Sequence, residues 1–232
     1  MGGWVVTWRR RAVETSALLC KKCAGKTAPG ERIAWLNVPA EGRILLDGHD
    51  LREYDLFAMR ANIGVIFQAF VRYHFTAADN IAVGRIEARD DRPRIVAAAE
   101  RSLADEVIGN LPLGYDQIIG KRFRSGVDLS GGEWQKVAIA RAYMRDAQVL
   151  ILDEPTAALD ARAEFEVFKR FKELSHGKTA VLISHRFSSV RMADRIVVLM
   201  DGAVEATGTH AELLRQGGRY AELFEMQAAG YR

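Results

Sequence analysis

The chain has 232 residues, 49% of them hydrophobic and 27% charged, which suits one large domain or two small ones with a substantial core. Its 33 basic and 30 acidic residues leave a net charge of +3, too balanced to argue for a nucleic-acid partner. Cys20 and Cys23 are the only cysteines, which excludes a disulfide framework, and no apolar run reaches the roughly 18 residues of a membrane span.

Residues 1–13 carry Arg9, Arg10 and Arg11 after the first apolar residues, which is not the order of a signal peptide. Short apolar runs predict buried strands at 16–19, 63–67, 149–152, 180–183 and 196–200. Residues 43–46 and 196–200 each run into an Asp-Gly pair, Asp47-Gly48 and Asp201-Gly202, as strands ending in tight turns do. A single helix is expected over 92–110, with Pro93 in its first turn. Further helices are expected over 133–145 and over 162–174, where Phe165, Phe168 and Phe171 recur three apart. Strands alternating with helices predict an α/β fold with a parallel-rich sheet and helical cover.

Three stretches carry chemistry. In "VLILDEPTAALD" (149–160) four apolar residues run into Asp153 and Glu154. Ligands gather at the C-terminal edge of such sheets, and two carboxylates there suit a hydrated Mg²⁺ and a polarised water. A solvated acidic turn is the plainer alternative. In "DLSGGEWQKVAIARA" (128–142) Ser130 and Glu133 have capping-box spacing. Gly131 and Gly132 would then open a helix whose free amides can receive an anion. In "CKKCAGKT" (20–27) a thiol pair overlaps Gly25-Lys26-Thr27, the end of a phosphate loop.

The order of Gly25-Lys26-Thr27, Leu129-Ser130-Gly131-Gly132-Glu133, Asp153-Glu154 and His185 resembles the ATP-binding cassette (ABC) transporter family. More closely it resembles the nucleotide-binding domain of the exporter (multidrug/lipid) type, from about Glu14 to the C-terminus. The resemblance implies a P-loop NTPase (RecA-like) core, an α-helical subdomain at about 76–145, an incomplete antiparallel β-subdomain and a helical tail at about 211–232. All would form one ABC ATPase domain over 1–232. It implies ATP and Mg²⁺ as cofactors. Cys23, Ala24, Gly25, Lys26 and Thr27 would cradle the phosphates, with Thr27, Gln68 and Asp153 at Mg²⁺. Glu154 would orient the water, His185 would sense the γ-phosphate, and Gln68 would link the site to a membrane domain. Ser130, Gly131, Gly132 and Asp160 would face the ATP of a second cassette. The implied partners are that second nucleotide-binding domain, identical or different, and an exporter's transmembrane domain near Phe70–Phe75, where plain core packing is the alternative. The implied location is the cytoplasmic face of a membrane.

Two departures weigh on that reading. The family loop, G-x-x-G-x-G-K-S/T, places its first two glycines at Cys20 and Cys23. A side chain where the loop needs positive φ costs roughly 1–2 kcal/mol, so two such sites weaken ATP binding about 30- to 1000-fold. The aromatic residue that stacks on adenine in the family has no counterpart, and residues 1–13 read as an altered or truncated start. Rival readings are a degenerate cassette kept as an interaction module, a soluble cassette protein of DNA repair or translation, and a thiol-redox site at Cys20 and Cys23.

Overall fold

The computed structural model describes residues 14–20, 41–67, 70–122, 124–154, 161–201 and 203–229. The strands are β1 (Thr15–Cys20), β2 (Leu45–Leu46), β3 (His49–Asp50), β4 (Ile63–Ile66), β5 (Val149–Asp153), β6 (Thr179–Ser184), β7 (Arg195–Met200) and β8 (Ala203–Gly208). The helices are α1 (Leu56–Ala61), α2 (Ala77–Ala82), α3 (Arg92–Ser102), α4 (Ala104–Gly109), α5 (Gly131–Arg145), α6 (Ala161–Ser175), α7 (Phe187–Val190), α8 (His210–Gln216) and α9 (Gly218–Ala229).

Six strands form one sheet in the order β4-β5-β6-β1-β7-β8. Strands β5, β6, β1 and β7 run parallel, and β8 returns antiparallel to β7. Every residue of β5 is buried, as are all but the first of β6 and of β7, because a parallel strand is covered on both faces. Burying each of Leu150, Ile151 and Leu182 contributes about 1.5–3 kcal/mol. The first strand is pinned at its start: Thr15 N–H donates to the Asp194 carboxylate at 2.9 Å, and Arg195 Nε donates to Glu14 at 3.0 Å. The small sheet β2–β3 turns on Asp47 (φ 52°) and Gly48 (φ 87°), the two positive φ values of a type I′ hairpin.

The chain divides into two compact units. The first comprises residues 1–63, 149–154 and 177–232; the second comprises 64–148 and 155–176. In the second unit α5 packs against α2, α3 and α4, and Trp134, Met144, Ile95, Ile108 and Ile119 fill the core. Helix α6 joins them, with the Tyr143 hydroxyl donating to the Arg170 carbonyl at 2.8 Å. Burial pushes that phenol up to about 12.

One expectation needs correction. The single helix expected over 92–110 is two, α3 and α4, broken at Leu103 (φ 61°). Ser102 Oγ donates to the Ala99 carbonyl and accepts the Ala104 N–H. A serine side chain that satisfies backbone groups in this way competes with helix continuation. The left-handed leucine costs roughly 1–2 kcal/mol, offset by burial of Ala99 and Ala104 on either side. On α6, Phe168 and Phe171 are buried but Phe165 is 60% exposed, because a spacing of three drifts off a face of period 3.6.

Candidate active site

The first unit builds its site from two adjacent strand ends. The last β5 residue, Asp153, is 1% exposed and lies in register with Ile183 of β6. Glu154 follows, and its N–H donates to the Ile183 carbonyl at 2.9 Å, which extends the ladder one residue past the strand. Its backbone then turns into the left-handed region, φ 44°, at a cost of roughly 1–2 kcal/mol for a residue other than glycine. That turn carries the side chain to β6, which ends at Ser184. The next residue, His185, places Nδ1 2.8 Å from Glu154 Oε1. An ionised carboxylate only accepts, so the imidazole donates from Nδ1 and keeps Nε2 for another partner. Glu154 is nearly buried, at 8%, while the His185 side chain is 44% exposed. The acid is held from below and the ring offers its far edge to solvent.

The parallel neighbours share this edge. Leu19 of β1 lies in register with Ser184, so the chain leaving β1 at Cys20 starts beside Ser184 and His185. Cys23, Ala24, Gly25, Lys26 and Thr27 lie beyond that point, outside the described residues, as do Gln68 and Asp160. Asp153 fits a Mg²⁺ site by its chemistry: a buried carboxylate is the hard oxygen donor this ion takes, and the ion completes its shell with water and substrate oxygens. Among the described residues no group of three or more His, Cys, Asp or Glu is arranged to hold a metal.

In the second unit the candidates Ser130, Gly131 and Gly132 start α5 as their spacing predicts. Ser130 Oγ accepts from Glu133 N–H at 3.3 Å, and the Glu133 carboxylate accepts from Ser130 N–H at 2.7 Å. This reciprocal box leaves the amides of the first turn at the positive end of a fifteen-residue helix. Leu129, 6% exposed, anchors the approach, and Lys121 pairs with Asp128 at 3.0 Å.

The same helix carries a feature that motif reading missed. Arg141 donates from Nε to the Asn80 carbonyl and from Nη2 to Asn80 Oδ1, both at 2.8 Å, and from Nη1 to the Val71 carbonyl at 2.7 Å. Its guanidinium lies over the Tyr73 ring, 5.1 Å from the centroid. Asn80 is fully buried and its Nδ2 reaches the carbonyls of Tyr73, Phe75 and Thr76. Burial lowers Arg141 to about 10. The aromatic stretch is thus fastened at its back while Val71 and Phe75 stay about half exposed, with Tyr73 and Phe75 stacked at 5.4 Å. An arginine inside a run whose neighbours Ile139, Ala140 and Ala142 are all buried was the available signal.

The profile of the ABC transporter family matches residues 6–157. The ATP-dependent lipid A-core flippase of Alkalilimnicola ehrlichii is 43% identical over 217 residues, 94% of this chain and 36% of that protein. The flippase of Salmonella typhimurium is 42% identical over 216 residues, 93% of this chain and 36% of that protein. The mitochondrial potassium channel ATP-binding subunit of Pongo abelii is 44% identical over 213 residues, 91% of this chain and 29% of that protein. A bacterial Atm1-family ABC exporter solved with ATP bound superposes with a TM-score of 0.85 at 36% identity, over 94% of this chain and 37% of that one. The chain therefore spans between 29% and 37% of the length of these relatives.

Proposed function

The chain belongs to the ABC transporter family, as a nucleotide-binding ATPase domain of exporter type, and from that premise we propose how its residues turn over ATP and what they drive. The observation that carries the reading is the Glu154–His185 pair at the strand ends, 2.8 Å apart, on a backbone held in a costly conformation. Strain of that kind persists where surrounding structure over-determines it, and it clusters at working sites.

Glu154 orients a water and draws off its proton as the water oxygen bonds to the γ-phosphorus and the bond to the β-phosphate oxygen breaks. ATP and water become ADP and inorganic phosphate. His185 stays hydrogen-bonded to Glu154 through Nδ1 and turns Nε2 to the γ-phosphate oxygens. Asp153, with Thr27 and Gln68, would hold Mg²⁺, an ion that would supply neutralisation of the charge developing on the phosphates. Lys26 and the amides of residues 23–27 cradle the phosphates. Ser130, Gly131, Gly132 and Asp160 complete the ATP site of a second cassette, so two domains act together. The work done is export across a membrane, on its cytoplasmic face, through a transmembrane partner that meets the half-exposed Phe70–Phe75 stretch. A lipid A flippase and an Atm1-family exporter both match this chain, so cargo choice belongs to that partner.

Phosphate release with Mg·ATP tests the reading. Glu154→Gln keeps an amide oxygen to accept from His185 Nδ1–H and loses the basic carboxylate, so the rate falls about 10²- to 10⁴-fold with the melting temperature held. An unchanged rate overturns the proposed role of Glu154. Cysteines at two glycine positions of the phosphate loop weaken ATP binding, and calorimetry on a Cys20→Gly, Cys23→Gly chain should show binding about 30- to 1000-fold tighter than the parent. Equal affinities would show that the cysteines cost nothing.

A further inference from the structure

The backbone just after His185 is supported both by its neighbours and from far along the chain. Helix α7 begins at Phe187, and the first amides of any helix lack partners within it. Its N-cap is Arg186, which makes no side-chain capping bond. Ser184 Oγ accepts the Arg186 N–H at 3.1 Å, covering one amide. The Phe187 N–H is covered from far along the chain: Gln227 Oε1, in the last turns of α9, accepts it at 2.9 Å.

The side chains repeat this connection. The Phe187 ring, 6% exposed, meets Tyr220 edge-on at 5.1 Å and Phe224 edge-on at 5.5 Å, both from α9. Tyr220 is 2% exposed, and its hydroxyl lies 2.7 Å from His210 Nδ1 at the start of α8. The His210 ring in turn lies edge-on to Phe224 at 5.1 Å. Such aromatic pairs favour defined angles. Helix α9 therefore holds both the backbone and the side chain of the residue two positions beyond His185.

We propose that α9 is a positioning strut for His185, with Gln227 as the contact through which it works. The proposal rests on the reading that His185 acts on the γ-phosphate. His185 is held at one side by Glu154, and its own backbone lies between β6 and a helical turn that Gln227 caps. Without that acceptor the turn loses its first amide bond and the ring drifts from Glu154. A misplacement of about 1 Å is enough to cost a large factor in rate while leaving binding contacts intact.

The test is steady-state hydrolysis of Mg·ATP by the 232-residue chain. Gln227→Leu should lower kcat about 3- to 30-fold with KM and ATP affinity unchanged. Gln227→Glu, which keeps an acceptor oxygen, should restore kcat. In a His185→Ala background Gln227→Leu should add nothing further, because both changes act through one residue. Gln227→Ser, too short to reach the amide, repeats the test should the leucine variant fold poorly. The strut is overturned if Gln227→Leu and the parent hydrolyse alike while His185→Ala is crippled. It is equally overturned if Gln227→Leu lowers the rate as much without His185 as with it. A His185→Ala chain as active as the parent removes the underlying reading of His185, and the strut with it.

Discussion

The strand ends of the first unit and the helix start of the second hold their candidate groups by opposite means. Ser130 and Glu133 satisfy one another within four consecutive residues, so the amides they leave free are arranged by local chemistry. Glu154 and His185 are 31 residues apart and meet only because Asp153 and Ile183 are in register across two buried strands. The local device is cheap and modular. The distant one needs the sheet to be correct and then adds a strained backbone, φ 44°, to aim the carboxylate. A group that must bind can be placed by a cap. The Glu154–His185 pair takes its position from the core.

Three changes test that contrast. The largest effect should come from Asn80→Ala, which shows whether the helical unit also leans on a distant connection. It strips the buried Arg141 of its side-chain acceptor and the Tyr73 carbonyl of the Asn80 amide, while the Phe75 carbonyl keeps the Ile119 N–H. Each orphaned group costs about 1–3 kcal/mol, so the urea midpoint should drop sharply; a loss under about 1 kcal/mol would make the connection ornamental. Next, Ser130→Ala should cost about 1 kcal/mol of stability, the usual worth of a helix cap. A much larger loss would mean that α5 begins by something other than its box. The smallest effect is a response to acid at His210. Burial first, and Arg191 second, push this imidazole below its usual 6.5. The folded chain therefore takes up this proton less readily than the unfolded one. Stability from this group is complete above 6.5 and declines as pH falls from there through the folded value. Urea midpoints from about pH 7.5 to about pH 5.5 should fall more steeply in the parent than in His210→Asn; parallel slopes would contradict it.

Much of the fold was legible in the sequence because apolar runs are dense where strands are buried on both sides. β5, β6 and β7 fall within one residue of the expected bounds. The capping box and the Asp47-Gly48 turn were legible because each is a local rule with a local cause. The break at Leu103 was not, since it depends on Ser102 choosing backbone partners over helix continuation, which no periodicity records. Within the site, residue order pointed to Asp153, Glu154 and His185, but not to which ring nitrogen meets the acid or to the positive φ beneath it. Arg141 with Asn80, and Gln227 with Phe187, escaped notice altogether. They join segments 61 and 40 residues apart through single hydrogen-bonding side chains, which leave no pattern along the chain.

One placement in the sheet sets an order of events during synthesis. β1 leaves the ribosome long before its neighbours, yet it lies between β6 and β7, and its first residue is tied to Asp194, 179 residues later. At about 5–20 residues per second, this strand waits about 10–40 s with both edges unpaired. An apolar strand left open for that long is a template for wrong pairing. A pause in translation before β7 lengthens the time that both edges of β1 stand open.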